Sequence, residues 1–115
     1  MKVKEKIEGD VAVVTVSGNM MGGPESAELH EKIKSLIADD ILKVVIDIKA
    51  VKWMNSSGLG ILMACMSSLN QANGSLKLAS VTEKVKSILI ITKLIELFDT
   101  YENADRAVAN FIESK

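Results

Sequence analysis

Val44-Val45-Ile46-Asp47-Ile48, then Lys49 to Met54, then Asn55-Ser56-Ser57-Gly58-Leu59-Gly60, is the stretch that decides how this chain folds. The apolar, β-branched run from Lys43 to Ile48 predicts a strand, and its near-continuous hydrophobicity predicts burial on both faces, hence a central position. Lys49 to Met54 reads as a short loop. Behind the serines, Leu59, Leu62, Met63, Met66 and Leu69 recur at helical spacing until Asn73-Gly74 stops them. Two hydroxyls therefore fall at the positive end of a helix, where backbone N–H groups lack intrahelical partners. A phosphate added there would be stabilised by those donors and by the helix dipole.

The flanking sequence continues the alternation of strand and helix. Val3–Ile7 and Val11–Val16 alternate around Glu8-Gly9-Asp10 and predict an opening hairpin. Ser17 to Pro24 reads as a loop. Pro24 suits the first turn of the next helix, with Glu25 and Glu28 near its positive end and Leu29, Ile33, Leu36 and Ile37 on its apolar face. Leu76 to Val81 predicts a further strand. Ser80 or Thr82 caps a third helix, with Val85, Ile88 and Leu89 inward. Leu97 to Glu102 predicts a last short strand. Asn103 then caps a final helix, with Ala104, Ala107, Val108, Phe111 and Ile112 inward. The order β-β-α-β-α-β-α-β-α predicts one α/β domain over residues 1–115, a mixed central sheet of about five strands flanked by four helices.

Composition narrows the chemistry. At 48% apolar and 25% charged residues, the 115-residue chain has the balance of a single globular domain rather than a disordered one. The formal net charge of −1 and the absence of a basic stripe argue against nucleic acid as a partner. Lys2, Lys4 and Lys6 read as one face of an exposed strand. Cys65, the sole cysteine, cannot form an internal disulfide and falls in an apolar helical pattern, which predicts a small core residue. His30, the sole histidine, falls among Glu28, Glu31 and Lys32 and reads as solvated. One Cys and one His do not assemble a zinc site. No cofactor is expected. The N-terminus lacks an apolar signal core and no apolar run is long enough to span a bilayer, so a cytoplasmic protein without membrane insertion is expected.

Gly58 and Gly60 each cost roughly 1 kcal/mol relative to Ala in a helix, so they call for a close backbone approach. A dinucleotide-binding pattern starting at Gly58 fails at Met63, and no Walker lysine follows. A Ser-His-Asp triad would have to recruit His30 from a polar face. A nucleotide-binding protein or small enzyme is thus the weakest reading.

The stretch Val44–Ile48 together with Val51-Lys52-Trp53-Met54-Asn55-Ser56-Ser57-Gly58-Leu59-Gly60 resembles the signature of STAS domains, specifically the bacterial anti-sigma-factor antagonists. Ser17-Gly18 matches the family's first Gly-containing loop. Leu97-Phe98 and Tyr101-Glu102-Asn103-Ala104 resemble its closing strand–helix segment. The resemblance implies a non-enzymatic switch in signal transduction and transcription regulation. The unphosphorylated form would bind an anti-sigma factor that is also a serine kinase, phosphorylation would release it, and a serine phosphatase would reset it.

By position the resemblance makes Ser56 the acceptor, with Ser57 the second choice. Asn55 stands where the family has an aspartate, and Met21 about where its first loop has an acid. Those two departures keep a second reading open: a STAS interaction subunit that binds without phosphorylation, in a signalling assembly or a lipid-transport complex. Met20, Met21, Gly22, Trp53, Asn55, Ser57, Gly58 and Gly60 are the expected partner-binding residues. Met20 and Met21 are expected at the docking surface and Gly22 and Gly23 in a mobile loop, while Trp53 is read as core before anchor.

Overall fold

Strand β3 (Lys43–Met54) runs through the middle of the molecule and organises the rest. A computed structural model describes residues 1–113; Ser114, Lys115 and the side chain of Glu25, which was expected near a positive helix end, lie outside the described part. The remaining elements are β1 (Lys2–Glu8), β2 (Val11–Met20), α1 (Gly23–Ala38), α2 (Ser56–Gln71), β4 (Ser75–Ala79), α3 (Glu83–Ile91), a single 3-10 turn (Ile95–Leu97), β5 (Asp99–Tyr101) and α4 (Ala104–Glu113). This is the expected α/β order. The five strands lie side by side as β1-β2-β3-β4-β5, with β1 antiparallel to β2 and every other pair parallel.

Alternation along the strands sorts side chains between two cores. Val44, Ile46 and Ile48 of β3 join Ala12, Val14 and Val16 of β2 beneath α1, α2 and α3. Their neighbours Val45, Val11 and Val13 face Ala107, Val108 and Phe111 of α4. Burial of β3 on both sides follows, as its apolar run predicts. Leu62 and Leu69 of α2 and Leu29 and Ile33 of α1 are fully buried, each worth about 1.5–3 kcal/mol relative to exposure. Cys65 is likewise buried in the larger core.

Several boundaries differ from the sequence reading. Lys49 to Met54, read as a loop, continues β3, and Ser17 to Met20 continues β2. The two strands pair to their ends, Met20 against Met54, through register shifts between Thr15 and Ser17 and between Gly18 and Asn19. A bulge sets consecutive residues on one face, so the alternation that marks a strand disappears from the sequence. In the last third, Leu97 closes the 3-10 turn and the strand is confined to Asp99–Tyr101. Ile112, expected inward, is 55% exposed. Thr82, not Ser80, caps α3 by accepting from the Val85 N–H at 3.4 Å, and Asn103 caps α4 through the Arg106 N–H at 2.9 Å.

Because β4 ends beside Asp47, the last part of β3 overshoots it and pairs only with β2. That two-stranded ribbon carries the serine turn at its tip.

Candidate functional site

Asn55, rather than either serine, is the N-cap of α2. Its extended backbone leaves Oδ1 free to accept the Gly58 N–H at 2.8 Å, satisfying one of the unpaired donors at the helix start. The same residue reaches back to β2. Its backbone N–H donates to the Met20 carbonyl at 3.2 Å, and its Nδ2 donates to the Met21 carbonyl at 3.0 Å. One side chain thus joins the end of β2 to the start of α2.

Ser56 and Ser57 follow as the first two residues of α2, both exposed. Neither hydroxyl makes a hydrogen bond among the described residues, and the first turn of α2 carries no acidic residue. The oxygens therefore stand at the positive end of a 16-residue helix with no carboxylate in that turn to oppose an anion. Ser57 is the more hemmed in: a Cβ on Gly22 would meet the Ser57 Cβ at 2.5 Å. Gly22 has φ of 84°, a left-handed conformation that glycine adopts without cost, and its N–H donates to Ser26 Oγ at 3.0 Å.

The remaining expected contact residues divide. Met21 and Trp53 are exposed, at 46% and 44%, on either side of the turn. Met20, expected at the docking surface, is fully buried, because its side chain fills the core between the ribbon and the helices. Gly58, expected in the docking set, is also buried, and a Cβ there would collide with the Met20 carbonyl. Its role is to let strand and helix approach. Gly60 is exposed, with open space where a side chain would be. Trp53, read as core before anchor, is at the surface because the bulge at Lys52 turns it outward from the buried Val51 and Met54.

Two features escaped the sequence reading. Ser26 is 1% exposed and lies on the stripe of Leu29, Ile33 and Leu36. A serine in line with core residues is a buried hydroxyl that needs a partner, and the Gly22 N–H supplies it. His30, read as solvated, is half-buried, and its Nε2 lies 2.9 Å from Ser68 Oγ. That bond ties α1 to α2, the two helices whose N-termini flank the site.

Other chemistry is sparse. Among the described residues no group of three or more His, Cys, Asp or Glu is placed to hold a metal, and no helix is long and apolar enough to cross a membrane. Two open clefts of about 310 and 340 Å³ are lined by residues such as Val81, Ile95 and Glu102, and Lys43, Ser75 and Phe111; neither includes the serine turn. Burial pushes the Cys65 thiol up to about 12, so it stays protonated.

The chain is similar to the anti-sigma-F factor antagonist RsfB of Mycobacterium tuberculosis, 32% identical over 96 residues that cover 82% of this chain and 78% of that protein. An anti-sigma-B factor antagonist of Staphylococcus aureus is 25% identical over 100 residues, covering 87% and 83%. The crystal structure of an anti-sigma factor antagonist from Mycobacterium paratuberculosis superposes with a TM-score of 0.82 at 26% identity, covering 97% of this chain and 94% of that one. The family model for the STAS domain matches residues 2–107. With strand order, serine turn and this match in agreement over nearly its whole length, the chain belongs to the STAS domain family.

Proposed function

We propose that this chain is an anti-sigma-factor antagonist: a non-enzymatic protein that docks on an anti-sigma factor through the serine turn and is released when Ser56 is phosphorylated by that partner's serine kinase activity. A serine phosphatase would restore it, in the cytoplasm. The observation that carries the reading is the exposed, unbonded Ser56 hydroxyl at the first position of α2, next to the exposed Trp53 and Met21. A kinase needs a hydroxyl it can reach, and a docking partner needs apolar anchors beside it. A dianionic phosphate at the centre of the docked surface replaces a neutral hydroxyl, and its desolvation opposes rebinding.

Asn55 supports a second reading, a constitutive STAS subunit. Its neutral amide brings no charge to the acceptor and instead ties the loop to Met21. One experiment separates the two. The protein is incubated with its anti-sigma partner and ATP, and its intact mass is followed beside Ser56→Ala. A gain of one phosphate that Ser56→Ala abolishes, with loss of the complex, supports the switch. Binding that persists with no mass change, and that ignores both Ser56→Ala and Ser56→Asp, supports the constitutive subunit.

A further inference from the structure

The face of the sheet opposite α1, α2 and α3 is only half covered. Helix α4 packs on Val11, Val13, Val45 and Ala79, toward the starts of β2 and β3. Beyond it the ribbon is bare: Thr15, Asn19, Lys49, Ala50, Lys52 and Trp53 are all exposed. The register brings β1 into the same face, since Lys2 pairs with Ser17 and Lys4 with Thr15, which pairs in turn with Asp47. Directly paired residues share a face, so Lys2 and Lys4 border the bare area on one side and Lys49 and Lys52 on the other. None of these four lysines makes an ion pair among the described residues. The acids on this face of the sheet are Asp47, half-buried and accepting from the Lys49 N–H at 3.0 Å, Glu8, at the far end of β1, and Asp99 of β5, which is bonded to Lys77.

Lysines on an edge strand also discourage stray strand pairing, which accounts for Lys2, Lys4 and Lys6. Lys49 and Lys52 stand where β3 has run past β4 and is itself an edge, so they serve the same purpose on the other side of the ribbon; edge protection does not call for the exposed Trp53 beside them. The cationic area is three strands wide, about 10 Å, as far as the row Lys2, Ser17, Ala50, and narrows to the two-stranded ribbon at Lys52 and Trp53, in a chain whose net charge is −1.

We propose that this uncovered half-face is a docking surface for an acidic protein surface, with Trp53 as its apolar anchor. A lipid bilayer fits less well, because Trp53 and Ala50 are the only exposed apolar side chains in the bare area. Nucleic acid fits less well too: no helix of this face is placed to enter a groove beside the lysines, and the sole arginine, Arg106, belongs to α4. Trp53 precedes Ser56 by three residues, so the lysine face and the serine turn meet at the ribbon tip. In joining them on one partner the inference rests on the docking reading above. It adds a cause for release: phosphate on Ser56 would be set beside the partner's carboxylates, where like charge drives it off.

The test uses poly-L-glutamate as the acidic probe, with Trp53, the only tryptophan, as fluorophore and backbone amide shifts as the map. Saturable binding is expected, with shifts at residues 2–4, 15–19 and 49–53. Raising salt from 50 to 300 mM, or the triple change Lys4→Glu, Lys49→Glu, Lys52→Glu, should weaken it at least tenfold. Circular dichroism checks that the variant folds, and the triple change Lys84→Glu, Lys86→Glu, Lys93→Glu, on and just after α3 at the other face, is the control of equal charge, expected to bind as the parent does. The proposal is overturned if shifts map elsewhere, if the triple variant binds unchanged, or if phosphatidylglycerol vesicles or duplex DNA bind this face more tightly at equal ionic strength. Ser56 phosphorylation is scored separately by mass, so loss of this surface and loss of the switch give different results.

Discussion

The Met20 carbonyl oxygen lies directly against the Cα of Gly58, leaving no room for a side chain between β2 and α2. The same oxygen accepts the Asn55 N–H at 3.2 Å, so it can neither turn away nor withdraw without breaking the turn. Gly58→Ala should therefore destabilise the domain by about 3 kcal/mol, the upper end of overpacking costs, since backbone and not a flexible side chain must move. Gly60→Ala, two residues on and open to solvent, should stabilise by up to about 1 kcal/mol through helix propensity. Urea denaturation of both variants checks the opposite signs; equal effects would refute the packing argument.

Asn55 performs two tasks with one amide. Asn55→Ala loses the cap on Gly58 and the bond to Met21, and should cost about 1–2 kcal/mol. Asn55→Asp keeps an oxygen for the Gly58 N–H and adds favourable charge at the helix start, but a carboxylate cannot donate to the Met21 carbonyl. Its net change in stability should stay within about 1 kcal/mol. Its signature would be local: faster amide exchange at Met21 and Gly22, measured by hydrogen–deuterium exchange, with the rest of the domain unchanged.

Trp53 offers a direct optical probe of docking. At 44% exposure, its emission should be that of a largely hydrated indole, shifting to shorter wavelength when a partner covers it. Trp53→Ala should alter stability by less than about 0.5 kcal/mol, as for surface sites generally, while weakening partner binding at least tenfold. A blue emission in the free protein, or a large loss of stability, would contradict the exposed position.

Alkaline stability should be limited by two buried groups. The folded chain holds the Cys65 proton up to about 12, whereas an unfolded thiol releases it near 9.0. Between those values the unfolded state binds fewer protons, so stability falls as pH rises, by at most about 1.4 kcal/mol per pH unit. Lys77 adds to this at higher pH. Burial lowers its pKa, but hydrogen bonds to Asp99 at 2.6 Å and Tyr101 at 3.1 Å outweigh that and hold it above 10.5. Its stabilisation is complete below 10.5 and is lost as pH climbs through the raised value. Thermal melts of Cys65→Ala should show a flatter slope between pH 9.0 and 10.5 than the parent.

The sequence was most legible where hydrophobic periodicity was unbroken. The alternating order of strands and helices, the central position of β3, the core role of Cys65 and the cap at Asn103 all follow from pattern and propensity. Legibility failed at the ribbon. Bulges place Lys49 next to Ala50 and Lys52 next to Trp53 on the outside, which breaks the period of two and makes strand resemble loop. For the same reason the exchange of roles between Met20 and Trp53 could not be read: which of them is buried depends on the register between β2 and β3. Asn55, Ser56 and Ser57 are all good capping types, so the identity of the cap required knowing where β3 ends. His30 lay among charges in sequence, but its partner is 38 residues away.

The serine turn is held by two inward side chains and the backbone they meet: the Asn55 amide joins the Met21 carbonyl to the Gly58 N–H, the Ser26 hydroxyl takes the Gly22 N–H, the Met20 carbonyl takes the Asn55 N–H, and Gly58 lets strand and helix touch. Its outward side chains, Met21 and Trp53, take no part in that scaffold. On the docking reading, replacing them would change whom the protein recognises while leaving how the turn is built untouched. On that reading, two positions suffice to redirect the domain's allegiance without asking it to refold.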